Sequence, residues 1–84
     1  MHDVETNIRK YIVHEVLFNV DESYIKIDEA LLEKGIFDSM GLQMLVSFLE
    51  NEYNISIPND ELVPENFETI RSISNLVKKL KGAI

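Results

Sequence analysis

The sequence predicts an all-α domain: a small four-helix bundle with a long loop between the first and second helices and a short third helix. Three observations carry this. Apolar residues recur at helical spacing in three separate stretches: Val4, Ile8, Ile12 and Val16; Met40 to Leu49; and Ile70, Ile73, Leu76, Val77 and Leu80. The one extended stretch, Ile55-Ser56-Ile57-Pro58, is too short and isolated to build a sheet. The chain has 84 residues and no cysteine, so a fold of this size must rest on helix packing rather than on disulfides.

The first helix reads from Asp3 to about Phe18, with Tyr11 and Leu17 widening its apolar stripe. Asp3 is the expected N-cap, and Glu5 suits the positive end of the helix dipole. His2 and His14 are the only histidines. Neither has a histidine or cysteine partner at ligand spacing, so no metal site is expected and no catalytic base suggests itself.

Asn19 to Gly35 is the long connection. Asn19, Asp21, Glu22 and Ser23 carry turn chemistry. Tyr24, Ile25 and Ile27 are expected to anchor the loop on the core. Asp28 is placed to cap a short helical turn over Glu29 to Lys34, which Gly35 ends in the left-handed conformation. The acidic cluster from Asp21 to Asp28 lacks the spacing and closing glutamate of a calcium loop.

The second helix runs from Ser39 to about Tyr53. Its apolar residues, Met40, Leu42, Met44, Leu45, Val46, Phe48 and Leu49, exceed what one stripe can hold. A narrow core face would use Met40 or Leu42, then Leu45, Val46 and Leu49. Met44 and Phe48 share another side, since residues four apart coincide on a helix. They are either a second buried face, as expected of a central helix, or an exposed patch fitted to partners. Gly41 lowers helix propensity in the first turn and keeps bulk away from Ser39.

Asn54 is the expected helix stop. The extended stretch follows because residues before proline avoid the helical region. Asn59 or Asp60 is expected to cap one turn through Glu61 to Val63. Pro64 then opens a second brief turn, with Phe67 pointing inward. Thr69 caps the last helix, Ile70 to about Lys81, whose terminal lysines suit the negative end of the dipole. Gly82 stops it.

Charge and size exclude several functions. Fifteen acidic and eight basic side chains give a net charge of −7, which repels nucleic acid and anionic lipid. From Gly35 to Ile70 there are seven acidic residues and no basic one. That one-signed field either favours encounter with basic partner surfaces or simply maintains solubility. A single core of this size leaves little room for an enclosed catalytic cleft. No apolar run reaches membrane-spanning length, and the N-terminus lacks a signal-peptide pattern, so a cytoplasmic location is expected.

The stretch Gly35-Ile36-Phe37-Asp38-Ser39-Met40 organises the rest. Ser39 either caps the second helix or offers its hydroxyl to solvent as a handle for covalent chemistry. The order of a long helix, a long loop, Gly-x-x-Asp-Ser-Met opening a helix, Ile-x-Ile-Pro, a short third helix and a Thr-capped last helix resembles the acyl carrier proteins. The similarity runs from about Val4 to Leu80. It implies that Ser39 takes a 4′-phosphopantetheine through a phosphodiester and that the protein is a carrier, not an enzyme. It implies a phosphopantetheinyl transferase, an adenylating enzyme that loads acyl or aminoacyl groups as thioesters, and downstream acyltransferases or synthases as partners. A domain handed among them is expected to be a monomer.

Asp38, Met40, Met44, Phe48 and Phe37 are the expected rim read by those enzymes, with Glu50 and Glu52 adding docking charge. Met40 stands where leucine is commoner, and Gly41 and Met44 stand where fatty-acid-synthesis carriers are often acidic. These departures are similar to free-standing carriers that work with adenylating enzymes: D-alanyl carriers of the cell-wall pathway, or aminoacyl and peptidyl carriers.

Overall fold

The computed structural model describes residues 4–17 and 25–82. The expected roles of His2, Asp3 and Phe18, and of Asn19 to Tyr24, fall outside these residues. Among the described residues every regular element is helical.

Helix α1 spans Val4–Tyr11 and continues into a π-helical segment, Ile12–Val16. A single α-helix was expected, and the spacing explains the difference. On an α-helix each four-residue step advances about 40° round the axis. Val4, Ile8, Ile12 and Val16 would therefore spiral off the core, and a wider turn takes that drift back. The Leu17 amide donates to the Ile12 carbonyl at 2.9 Å, a five-residue reach. Ile12 and Val13 are fully buried, and Val16 packs against the core.

Residues 27–31 are tied to the start of the last helix, α3 (Ile70–Lys81). Ile25 is buried and Ile27 partly so, as expected of loop anchors. Leu31 donates to the Glu68 carbonyl at 2.8 Å, and Arg71 to that of Ile27 at 3.1 Å. This pinning overturns the expected capping role of Asp28. Its carboxylate instead accepts two bonds from the Arg71 guanidinium, at 2.8 and 3.2 Å. The segment Leu31–Gly35 is a turn rather than a short helix, closed by Gly35 at φ +69°.

Helix α2 spans Ser39–Tyr53, and Asn54 ends it at φ 55°. Ile55 to Pro58 is extended. Two 3₁₀ turns, Asn59–Glu61 and Pro64–Phe67, stand where a short third helix was expected. Pro58 and Pro64 bracket the first of them and keep it short. Pro58 takes the flanking position, so Asn59 and Asp60 lie inside the turn and neither caps it. Thr69 caps α3 as expected, accepting from the Ser72 amide at 3.0 Å. The three helices meet over Ile8, Leu45, Leu49, Phe67, Ile73 and Val77, all buried. This core holds the first turn of α2 at the molecular surface.

Candidate functional site

The first turn of α2 is capped by Asp38. Its backbone is extended (φ −94°, ψ −174°), and its Oδ1 accepts the Gly41 amide at 2.6 Å. An aspartate three residues before the amide it satisfies is the standard N-cap spacing. The sequence reading considered Ser39 for this role; the Asp-x-x-Gly spacing was the available signal for Asp38. Ser39 is the first residue of α2 and is exposed. The reading of Ser39 as the cap of α2 thereby loses its premise.

Gly41 serves this cap. A Cβ at residue 41 would lie 3.1 Å from Asp38 Oδ1 and 3.6 Å from Phe37 Cδ1. Glycine costs helix propensity but leaves the carboxylate its close approach. Phe37 is buried and anchors the residue before the cap. The Leu42 amide bonds to the Asp38 carbonyl at 2.9 Å. The amides of Ser39 and Met40 are left at the helix end, where the dipole favours an anion.

Two hollows lie near Ser39. A groove of about 510 Å³ beside it is walled by Leu32, Phe37, Leu42, Leu62, Val63, Pro64 and Phe67. A second hollow, of about 340 Å³, adjoins Asp38 and Met40 and is lined also by Ile36, Gly41, Met44, Tyr11, Glu15 and Val16. Neither is lined by histidine or lysine.

Met40, Met44, Phe48 and Glu52 form one line down α2, each four residues from the last. Met40 is 71% exposed and Met44 53%. The expected second buried face is thus absent at Met44, because α1 covers only the lower part of this side. Phe48 is half-buried, its ring stacked on Tyr11 at 4.2 Å between centroids and 18° between planes. Burial, with the nearby Glu15 carboxylate, raises the Tyr11 phenol above its ordinary value of 10.0. Tyr11 was expected only as part of the apolar stripe of the first helix; its place on Phe48, with Glu15 nearby, has no local sequence signal.

Glu50 faces elsewhere. Its Oε2 accepts the Ile57 amide at 2.8 Å, tying the extended stretch to α2. Glu52 is exposed at the end of the ridge, near Lys10 and His14. The structure therefore brings Asp38, Ser39, Met40 and Met44 together, sets Phe48 and Glu52 below them, and gives Glu50 a bond within the fold. Among the described residues no cluster could hold a metal ion, and no helix is long and apolar enough to cross a membrane.

No protein-family model matches the chain. It is similar to the D-alanyl carrier protein of Streptococcus uberis, with 40% identity over 67 residues covering 80% of this chain and 84% of that protein. It is also similar to the D-alanyl carrier protein of Streptococcus suis, with 37% identity over 81 residues covering 96% of this chain and 99% of that protein. Among solved structures it is similar to KstB-PCP in its apo form, with a TM-score of 0.77, 32% identity, and coverage of 88% of this chain and 81% of that one.

Proposed function

This chain belongs to the carrier-protein family of the streptococcal D-alanyl carrier proteins, and on that footing we propose that Ser39 is the attachment point of its 4′-phosphopantetheine arm. The protein is a carrier. The observation that supports Ser39 is the bond from Gly41 to Asp38, which makes the serine hydroxyl unnecessary to the helix and leaves the residue in solvent.

The residues present fit the group. A phosphodiester carried by Ser39, at the start of a 15-residue helix, would be held by the Ser39 and Met40 amides and the positive dipole end. The arm, when attached, supplies a terminal thiol on which cargo is held as a thioester. Asp38 and Gly41 hold the backbone that presents Ser39. In this reading the base that takes the serine proton belongs to the modifying enzyme, and the neighbouring Asp38 serves as the helix cap. The chain itself catalyses nothing in this reading.

Its partners are then a phosphopantetheinyl transferase, an adenylating enzyme that loads the thiol, and the enzymes that take the cargo onward. They reach Ser39 over Asp38, Met40 and Met44, with Phe48 and Glu52 farther along the same ridge. A monomer in the cytoplasm suits this traffic. The names of the relatives support D-alanyl as the cargo; the KstB-PCP likeness supports an aminoacyl or peptidyl cargo more broadly.

The test is intact mass after incubation with coenzyme A and a phosphopantetheinyl transferase. The protein gains one arm; Ser39→Ala keeps its helical signal and gains none. A Ser39→Ala protein that is still modified overturns the assignment. Adding D-alanine, ATP and a D-alanine-activating enzyme to the modified protein then adds one alanyl group, and failure there with success for another amino acid moves the cargo reading to the aminoacyl class.

A further inference from the structure

Met40 and Met44 carry the only sulfur atoms among the described residues. The chain has no cysteine, and its one other methionine is Met1. Both side chains are open to solvent, 71% and 53% exposed, one helical turn apart and directly after Ser39. No thiol elsewhere in the chain competes for an oxidant.

We infer that Met40 and Met44 form a peroxide-oxidisable site beside Ser39, and that converting both thioethers to sulfoxides blocks enzymes from reaching the serine. The second half rests on the reading of this ridge as the contact surface for those enzymes. The step balances with hydrogen peroxide as the oxidant. The sulfur lone pair attacks one peroxide oxygen and the O–O bond breaks. The sulfur gives up two electrons and keeps that oxygen; the departing hydroxide takes the proton of the sulfur-bound hydroxyl and leaves as water.

The consequence follows from what the ridge is made of. A thioether is apolar and adaptable, whereas a sulfoxide is polar and chiral. Two adjacent sulfoxides replace an apolar contact with groups that must be desolvated to be covered. The fold is untouched, because the core face of α2 is Leu45 and Leu49, both fully buried, and neither methionine belongs to it. Oxidation here therefore disables docking and leaves the protein folded. Methionine sulfoxide reductases, one for each epimer, reverse it.

The experiment treats the apo protein with hydrogen peroxide and maps the oxygens by peptide mass. It then measures arm transfer from coenzyme A by a phosphopantetheinyl transferase. Met40 and Met44 each gain about 16 Da, helical signal and melting temperature hold, kcat/KM for transfer falls about tenfold, and reductase treatment restores it. The Met40→Leu/Met44→Leu variant, whatever its starting rate, shows the same rate before and after peroxide. Unchanged transfer to the doubly oxidised protein overturns the inference, as does unfolding on oxidation. An unoxidised Met40→Gln/Met44→Gln variant separates the two readings. If it is modified at the normal rate, the ridge is not the contact surface and both readings fall. If it is slow while peroxide leaves either sulfur unoxidised in the native protein, the inference alone falls.

Discussion

Asp38 and Gly41 close the first turn of α2 between them, Oδ1 to amide at 2.6 Å, and the serine that follows Asp38 is left with no structural duty. Capping thus falls to Asp38, and the proposed modification falls to its neighbour Ser39. Had Ser39 been the cap, its oxygen would be committed to its own backbone.

That division makes the two side chains separable by mutation. Asp38→Ala costs about 1 kcal/mol of stability through the lost cap. Ser39→Ala changes stability by less than about 0.5 kcal/mol, as exposed substitutions do. Urea unfolding of both variants checks the pair; an equal loss for Ser39→Ala would return the capping role to the serine.

The ridge and the stack beneath it separate in the same way. Met44→Gln leaves stability within about 0.5 kcal/mol, because Met44 is exposed. Phe48→Ala costs more, about 2 kcal/mol, through lost burial and the lost stack on Tyr11. Thermal melts distinguish them, and Met44→Gln should instead raise the transferase KM.

Glu50 and Glu52 differ by what they touch. Glu50→Ala leaves the part-buried Ile57 amide without its acceptor and costs about 1–2 kcal/mol. Glu50→Gln keeps an acceptor oxygen and costs less. Glu52→Gln leaves stability nearly unchanged and weakens docking in low salt. Denaturation of all three, alongside the salt dependence of arm transfer, tests the contrast.

Acid weakens the loop attachments. The bond from Arg71 holds the Asp28 carboxyl below its ordinary 3.8, and that from Lys79 holds Glu61 below its ordinary 4.5. Glu29 is lowered in the same sense by Lys34. For a carboxyl lowered on folding, the stabilisation is full above the ordinary value and is lost as pH falls through the folded one. Melting temperature therefore drops as pH falls below about 4.5, and the curves of Arg71→Gln and the unaltered protein converge once pH has fallen through the lowered Asp28 value. The Asp28–Arg71 pair is solvent-exposed, so the gap between the curves is small at neutral pH and shrinks in high salt.

Much of the molecule was legible in order. Thr69, Asn54 and Gly35 are local signals, each set by a cap oxygen or a positive φ that neighbouring residues dictate, and each fell where the spacing put it. Asp28 and the turn at Asn59 did not, for one reason. Arg71 lies 43 residues from Asp28 and reaches it only once the loop is pinned to α3, and proline placement overrode side-chain capping at the 3₁₀ turn.

The sequence by itself determined the helical class, the limits of α2 and the position of the Asp-Ser pair, because periodicity and capping act within a few residues. Only the tertiary structure decided that Met44 faces solvent while Phe48 lies on Tyr11, and that Glu50 belongs to the fold. Those outcomes depend on which elements meet across the chain. A helix carrying more apolar residues than one face can bury leaves that choice to its neighbours.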